Sequence, residues 1–368
     1  MVGPPPTQQT EPAVARSTGA VLPGDLAWIG GRVEAAVDEF LERERLRWSA
    51  LDPALEEPLR ALRELVLNGG KRLRPTFCHW GFVAAGGDPD DPRIVEAGAA
   101  FEMLQAFALI HDDVMDGSAV RRGAPAVHRR FMSAHRQLHG TGEPRRFGEG
   151  VAIVVGDLAF VYADQLLPRG PVEVDRVWDE LRIELNAGQY LDLMGTATAR
   201  RDRAGSRRIA RYKSGKYTIE RPLQLGAALA GGHQVLAEPL SRYGDPLGEA
   251  FQLRDDVLGA FGDAALTGKP VGDDLREGKP TLLLSIAHEN ASRSQLELLA
   301  RVGDTDLDDQ GVEAIQTVLS DTGAVAAVER EISDLVTRAV AAIDPMPAAP
   351  DAKLALRDLA DFVVARTA

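Results

Sequence analysis

Three carboxylates close together in an apolar stretch restrict this chain more than any other feature of it. Asp112, Asp113 and Asp116 follow Phe107-Ala108-Leu109-Ile110-His111 without a break, so acids and apolar residues belong to one element. On a helix, Asp112 and Asp116 stand four positions apart and project from one face. A solvated acidic face is the usual reading of a charge run, but here the flanks are apolar. The pattern therefore predicts carboxylates at the mouth of something buried, where their mutual repulsion requires a cation. Hard oxygen ligands, few per ion, suit Mg²⁺, which keeps waters and shares phosphate oxygens.

Helical periodicity dominates the rest of the chain, and no convincing alternating strand is present. Helices are predicted over 25–48, where Leu26, Ile29, Val33, Val37, Phe40 and Leu41 form a stripe, and over 91–115, 151–167, 172–194, 206–229 and 239–261. More follow Lys279. Asp52-Pro53 reads as a capped helix start, Asn68-Gly69-Gly70 as a stop and Arg74-Pro75 as the next opening. The glycine-rich stretch 137–150 is expected to be the longest irregular loop. With no internal repeat and no linker, the expectation is one all-α domain over 25–368. Residues 1–24, rich in Pro, Thr and Gln, read as a disordered tail.

Composition narrows the function. Ala, Leu and Val supply most of the apolar content, which suits closely packed helices. A net charge of −13 argues against nucleic acid as a partner, since phosphate backbones need a basic surface. Local cations and metal ions can still reverse the sign for a small phosphate. The single cysteine, Cys78, between Phe77 and Trp80, cannot form an intramolecular disulfide and reads as a buried hydrophobe. No uninterrupted apolar run reaches the roughly 18 residues of a membrane span, and a soluble cytoplasmic protein is expected. Six lysines stand against 36 arginines, and five of the six (Lys71, Lys213, Lys216, Lys269 and Lys279) fall inside charged motifs. Where Arg is the default cation, a retained Lys suggests a need for a compact ammonium.

A second acidic pair, Asp255-Asp256, lies in FQLRDDVLG about 140 residues after the first cluster. Two such pairs facing across a cavity could clamp one diphosphate through several Mg²⁺ ions. Basic groups gather at GGKRLRP, where Lys71 and Arg74 open a helix beside free amides. Others are Arg121-Arg122-Gly123, YKSGK with Lys213 and Lys216, and Lys269 in TGKP. Together they describe two anion sites, one metal-assisted and one purely cationic.

GGKRLRP, LIHDDVMDGSAVRRG, YKSGKYT and FQLRDDVLGAFGD…GKPVGDD, in this order over about 69–279, resemble the trans-isoprenyl diphosphate synthases. The likeness is strongest to actinomycete-type geranylgeranyl and farnesyl diphosphate synthases. It implies a single-domain helical bundle of the isoprenoid synthase type around a deep central cavity, and a homodimer. It also implies joining of isopentenyl diphosphate to an allylic diphosphate with two or three Mg²⁺ ions. By motif position, Asp112, Asp116 and Asp255, supported by Asp113 and Asp256, would hold the metal. Arg121, Lys213 and Lys269 would contact the allylic diphosphate. Gly70, Lys71, Arg74, Gln105 and Arg122 would cradle isopentenyl diphosphate. Lys213, Ser214 and Gln252 would face the nascent carbocation.

The family's second motif ends in an acid where this chain has Gly259; Asp263, two turns past Asp255, could share its face. Chain length in the family depends on the residues below the first motif, here Phe107, Ala108 and Leu104. One aromatic beside one small residue implies the 20-carbon product, with a farnesyl or longer product as the alternative. Two rival readings remain. A class I terpene cyclase shares the fold but needs no second anion site, and a non-catalytic partner subunit of a prenyl synthase would fit Gly259.

Overall fold

The computed structural model describes residues 24–199, 202–262, 271–304 and 306–365. The expected tail, up to residue 23, lies outside these, as do Asp263 and Lys269. The first half runs through α1 (Gly24–Ser49), a 3₁₀ turn (Pro53–Leu55), α2 (Glu56–Leu67), α3 (Leu73–Ala84), α4 (Pro92–Asp116), α5 (Val127–Gln137), α6 (Pro144–Leu166) and α7 (Val172–Ala197). After it come α8 (Arg203–Ile209), a π-helical segment (Ala210–Glu220), α9 (Arg221–Leu229) and α10 (His233–Phe261). The short α11 (Asp273–Glu277) leads to α12 (Leu282–Asn290), α13 (Arg293–Leu299), α14 (Asp309–Asp321), α15 (Ala324–Ala341) and α16 (Pro350–Val364). A hairpin of β1 (Val120–Arg121) and β2 (Ala124–Pro125) supplies the only strands among the described residues.

Local chemistry sets the boundaries. Asp91 caps α4 by accepting from the Arg93 amide, with Pro92 at the first position, where a missing N–H costs nothing. At the other end Gly117, at φ 69°, closes the helix immediately after Asp116. The expected loop over 137–150 shrinks, because α6 already begins at Pro144. Its glycines mislead. A side chain at Gly148 would overlap the carbonyl of His128 on α5, so glycine there serves close packing of two helices. Likewise α10 begins at His233 and carries Pro239 and Pro246 inside it, so neither proline marks its start.

Helix α4 is long and apolar enough to cross a membrane by length and composition, yet it is the core helix. Ala99, Ala100, Phe101, Met103 and Leu104 on it are fully buried, and Phe101 meets Trp178 of α7 edge-on at 5.4 Å. Around it one apolar cluster joins α1, α2, α4, α6 and α7. A second joins α3, α9, α10 and α16, and a third gathers the C-terminal helices on α10. Glycine permits the closest approaches near the π-helix. A Cβ at Gly188 of α7 would overlap the Lys213 backbone, and Gly215 faces Gly248 of α10. These contacts hold the segment around Lys213 against α7 and α10 at once.

Candidate active site

The first acidic cluster occupies the last turn of α4, where the helix dipole is negative and a carboxylate is least welcome. Three acids there stay ionised only beside compensating cations, and three converge on them. Lys213 Nζ donates to Asp112 Oδ1 at 3.0 Å and to Asp192 Oδ2 at 2.6 Å. Arg121 donates from Nε to Asp113 Oδ1 at 2.9 Å, and its Nη2 lies 3.6 Å from Asp112 Oδ2. Lys279 Nζ lies 3.5 Å from Asp116 Oδ2, 3.2 Å from Asp274 Oδ1 and 2.6 Å from Glu277 Oε2.

The electrostatics follow from this geometry. Burial alone would raise the Asp112 carboxyl, but Lys213, Lys279 and Arg121 outweigh it and hold it well below the usual range. Asp116 goes the other way: burial, and the Asp112 charge beside it, push it up to about 6. Its Oδ2 is buried and accepts no hydrogen bond. Asp113 is almost fully buried and belongs to Arg121, which it orients.

Gln252 and Asp256 of the second motif form one unit on α10, with Gln252 Nε2 donating to Asp256 Oδ1 at 2.8 Å. Burial pushes the Asp256 carboxyl up to about 8; Gln252 opposes this, and Asp274, Asp255 and Asp192 add to it. Asp255 is half-buried, and Arg254 ties the same turn to Glu329 of α15 by a two-pronged pair. Asp192, bridged by Lys213 to Asp112, also lies within electrostatic reach of Asp256. The two acidic motifs are thus linked electrostatically through Asp192 and Lys213. Gly259 contributes no donor, and a side chain there would overlap Asp274 Oδ2.

A second cationic group sits nearby. The hairpin turn places Arg122 at φ 53° and Gly123 at φ 75°, so Arg121 and Arg122 point apart. Arg122 Nη1 donates to the Leu65 and Val66 carbonyls at 2.7 and 3.3 Å, and its guanidinium lies over Gly70. Burial pulls Arg122 down to about 10; Glu102 opposes this, and the like charges of Arg72, Arg121 and Arg74 add to it. Arg74 donates to Thr218 Oγ1 at 2.8 Å and stacks over Tyr217 at 4.2 Å; Tyr217 in turn donates to Gln105 Oε1 at 2.9 Å. Lys71 reaches the Phe362 ring of α16 at 5.8 Å. Arg72 is buried on Glu102 and Glu34 and serves the fold. Like-charged guanidiniums this close call for an anion between them.

One turn below Asp112, Phe107 meets His111 edge-on and Phe160 of α6 at a tilt, each at 4.7 Å. Ala108 is half-buried, and Leu104 is fully buried. His111 faces the Ile153 carbonyl at 3.1 Å, and the Cys78 thiol is pushed up by burial, so neither is poised for chemistry. The residues that sequence reasoning missed are Gln189, which donates to Asp112 Oδ1 at 3.0 Å, together with Asp192, Asp274 and Glu277. Lys279, as one of the rare lysines, and Asp274, as the end of GKPVGDD, carried a signal, but neither was given a role.

A family model described as polyprenyl synthetase matches residues 55–319. The chain belongs to the polyprenyl synthetase family. As such it is a chain-elongating prenyltransferase, which removes the terpene cyclase reading. The geranylgeranyl diphosphate synthase of Methanosarcina mazei is 31% identical over 340 residues, covering 91% of this chain and 94% of that one. The geranylfarnesyl diphosphate synthase of Aeropyrum pernix is also 31% identical, over 82% of this chain and 92% of its own. A crystal structure of the Corynebacterium glutamicum geranylgeranyl pyrophosphate synthase, complexed with isoprenyl diphosphate and magnesium, superposes with a TM-score of 0.89. It is 37% identical and covers 93% of this chain and all of that one.

The donor set of this polyprenyl synthetase fits Mg²⁺, the metal on which the family generally depends. Hard carboxylate oxygens gather here, and Asp116 Oδ2 is buried without a hydrogen-bond donor of its own. Among the described residues no three acidic or imidazole groups close on one point. Each ion would therefore take one or two protein oxygens and complete its shell from phosphate and water.

Proposed function

We propose that this chain condenses isopentenyl diphosphate with an allylic diphosphate and that its product is geranylgeranyl diphosphate. The observation that carries the reading is the pairing of an acidic cluster with a separate arginine group, Arg122 and Arg74, a few residues away. A reaction between two diphosphates needs two anion sites, and these two groups support that reading.

Arg122, Arg74, Lys71, the Gly70 backbone and Gln105 would hold isopentenyl diphosphate so that its double bond faces the allylic carbon. Lys213, Arg121 and Lys269 would grip the allylic diphosphate. Two or three Mg²⁺ ions on Asp112, Asp116 and Asp255, with Asp113 and Asp256 in support, would neutralise charge on the departing pyrophosphate. As the allylic carbon–oxygen bond breaks, the alkene forms the new carbon–carbon bond, and a proton then passes to a pyrophosphate oxygen. Ser214, Gln252 and the Lys213 backbone would turn oxygen dipoles toward the cation, and apolar walls would exclude water.

Product length rests on Phe107 and Ala108, one bulky and one small, beneath Asp112. The names of the 20- and 25-carbon relatives support a floor in this range. The test is the purified chain with radiolabelled isopentenyl diphosphate and separate allylic primers, with and without Mg²⁺. Label in a 20-carbon product only with metal is the expected result. A farnesyl or longer product would overturn the length, and no incorporation with any primer would leave a non-catalytic partner subunit.

A second copy belongs to this reading. Phe147, Val154 and Val161 stand seven apart along α6, and Ile183 and Tyr190 repeat that spacing on α7, all exposed. Such a stripe on two adjacent helices suits an isologous dimer, working in the cytoplasm as one catalytic unit over 25–368. Light scattering of the wild type against a Val154→Glu, Val161→Glu variant, expected to be a dimer and a monomer, tests it.

A further inference from the structure

The second acidic motif lacks its last acid, yet the space where that acid would begin already holds a carboxylate. Gly259 lies on α10, one turn past Asp255. A Cβ built there would overlap Oδ2 of Asp274, which comes from the first turn of α11. Asp274 Oδ1 is tied to the Lys279 ammonium at 3.2 Å, so the Oδ2 edge is the one presented to α10. The same ammonium lies 3.5 Å from Asp116 Oδ2, the buried first-motif oxygen that accepts no hydrogen bond. One cation therefore spans the gap between Asp274 and the first acidic motif.

We propose that Asp274 supplies, from α11, the carboxylate that the second motif lacks at Gly259, and that glycine is required there to admit it. An acid in the first turn of a helix is favoured by the dipole whatever stands opposite. That ordinary role would not bring its carboxylate onto the backbone of α10, nor would it need a glycine to receive it. The inference rests on the metal–diphosphate reading of the site, and it assigns a donor beyond Asp112, Asp116 and Asp255. It also accounts for Gly259 without making the chain an inactive relative.

The test is calorimetric binding of inorganic pyrophosphate, with and without Mg²⁺, to wild type, Asp274→Asn, Gly259→Ala and the double variant Asp274→Ala, Gly259→Asp, in which the shortened side chain at 274 makes room for the new carboxylate. Asp274→Asn is expected to weaken the Mg²⁺-dependent binding about tenfold, within the range seen when a metal-supporting partner is lost. Binding without Mg²⁺ should stay within twofold. Gly259→Ala, which removes no charge but displaces Asp274, should lower Mg²⁺-dependent binding in the same direction. The double variant returns a carboxylate to the motif from α10 and should recover most of the loss. Asp274→Asn and Gly259→Ala both binding as wild type would overturn the proposal while leaving the site reading intact. Wild type showing no Mg²⁺-dependent pyrophosphate binding would overturn both.

Discussion

Asp112 and Asp113 are neighbours in the chain with opposite tasks. Asp113 is buried and pairs with the Arg121 guanidinium, so Asp113→Asn would leave a buried cation short of its partner. Breaking such a pair costs about 3 kcal/mol or more. Asp112→Asn leaves Lys213 still bound to Asp192 and should cost far less stability while abolishing turnover. Urea unfolding of the two variants separates them, and equal losses would contradict this division. Lys213→Met should lower kcat/KM by about a hundredfold, the scale on which one preorganised donor to a developing anion acts; steady-state assay with saturating Mg²⁺ reads it. Charged residues inside apolar or glycine-rich contexts were legible in the sequence, which is how Asp112, Asp116, Lys213 and Arg122 stood out. Asp192 and Gln189 were not, because a lone polar residue on a helix looks like any solvated one until the neighbouring helix is in place; Asp274 stood inside GKPVGDD, but its approach to Gly259 is a tertiary contact that the motif does not express.

Most helices could be read from the period of their apolar residues, and the errors lay where glycine or proline had a tertiary purpose. Gly148 and Gly188 admit a neighbouring backbone, a need that no local pattern expresses. The π-helical stretch from Ala210 to Glu220 was equally invisible, since its sequence is helical in any period. It matters nonetheless: the widened turn sends Lys213 to Asp112 and Lys216 to Glu220 and Glu184, dividing two nearby cations between the site and the fold. At this scale the floor of the site is set by α4 and α6 together. Phe107 already leans on Phe160, so the small residue beside it, Ala108, is the one left to admit a growing chain. Ala108→Phe is expected to shorten the main product by one isoprene unit with the first condensation preserved. Mass spectrometry of the products checks it, and an unchanged 20-carbon product would rule this floor out.

The whole molecule carries a formal charge of −13, and the few cations it turns inward, Lys213, Lys279 and Arg121, are each held by buried or half-buried acids. Its stability should carry a pH signature remote from the site. His79 on α3 is buried between Trp28 and Trp80, with ring centroids at 5.7 and 5.3 Å. Burial pushes its imidazole down to about 4, with Arg32 of α1 adding to the shift and Asp90 opposing it. An unfolded histidine titrates near 6.5. Between these values the unfolded chain binds a proton that the native one refuses, so the stabilisation is complete above about pH 6.5 and is lost as pH falls toward 4. At pH 4.5 the loss from this group amounts to about 2.5 kcal/mol. His79→Gln cannot titrate, so its unfolding free energy should fall less than the wild type's between pH 7 and pH 4.5, by about that amount. Carboxylates common to both proteins cancel in the comparison. Parallel urea midpoints across the range would mean that α1 and α3 part before His79 is protonated, and that the apolar contact of Leu26 with Phe77 and Leu73 does not hold the N-terminal helix as closely as the packing here requires.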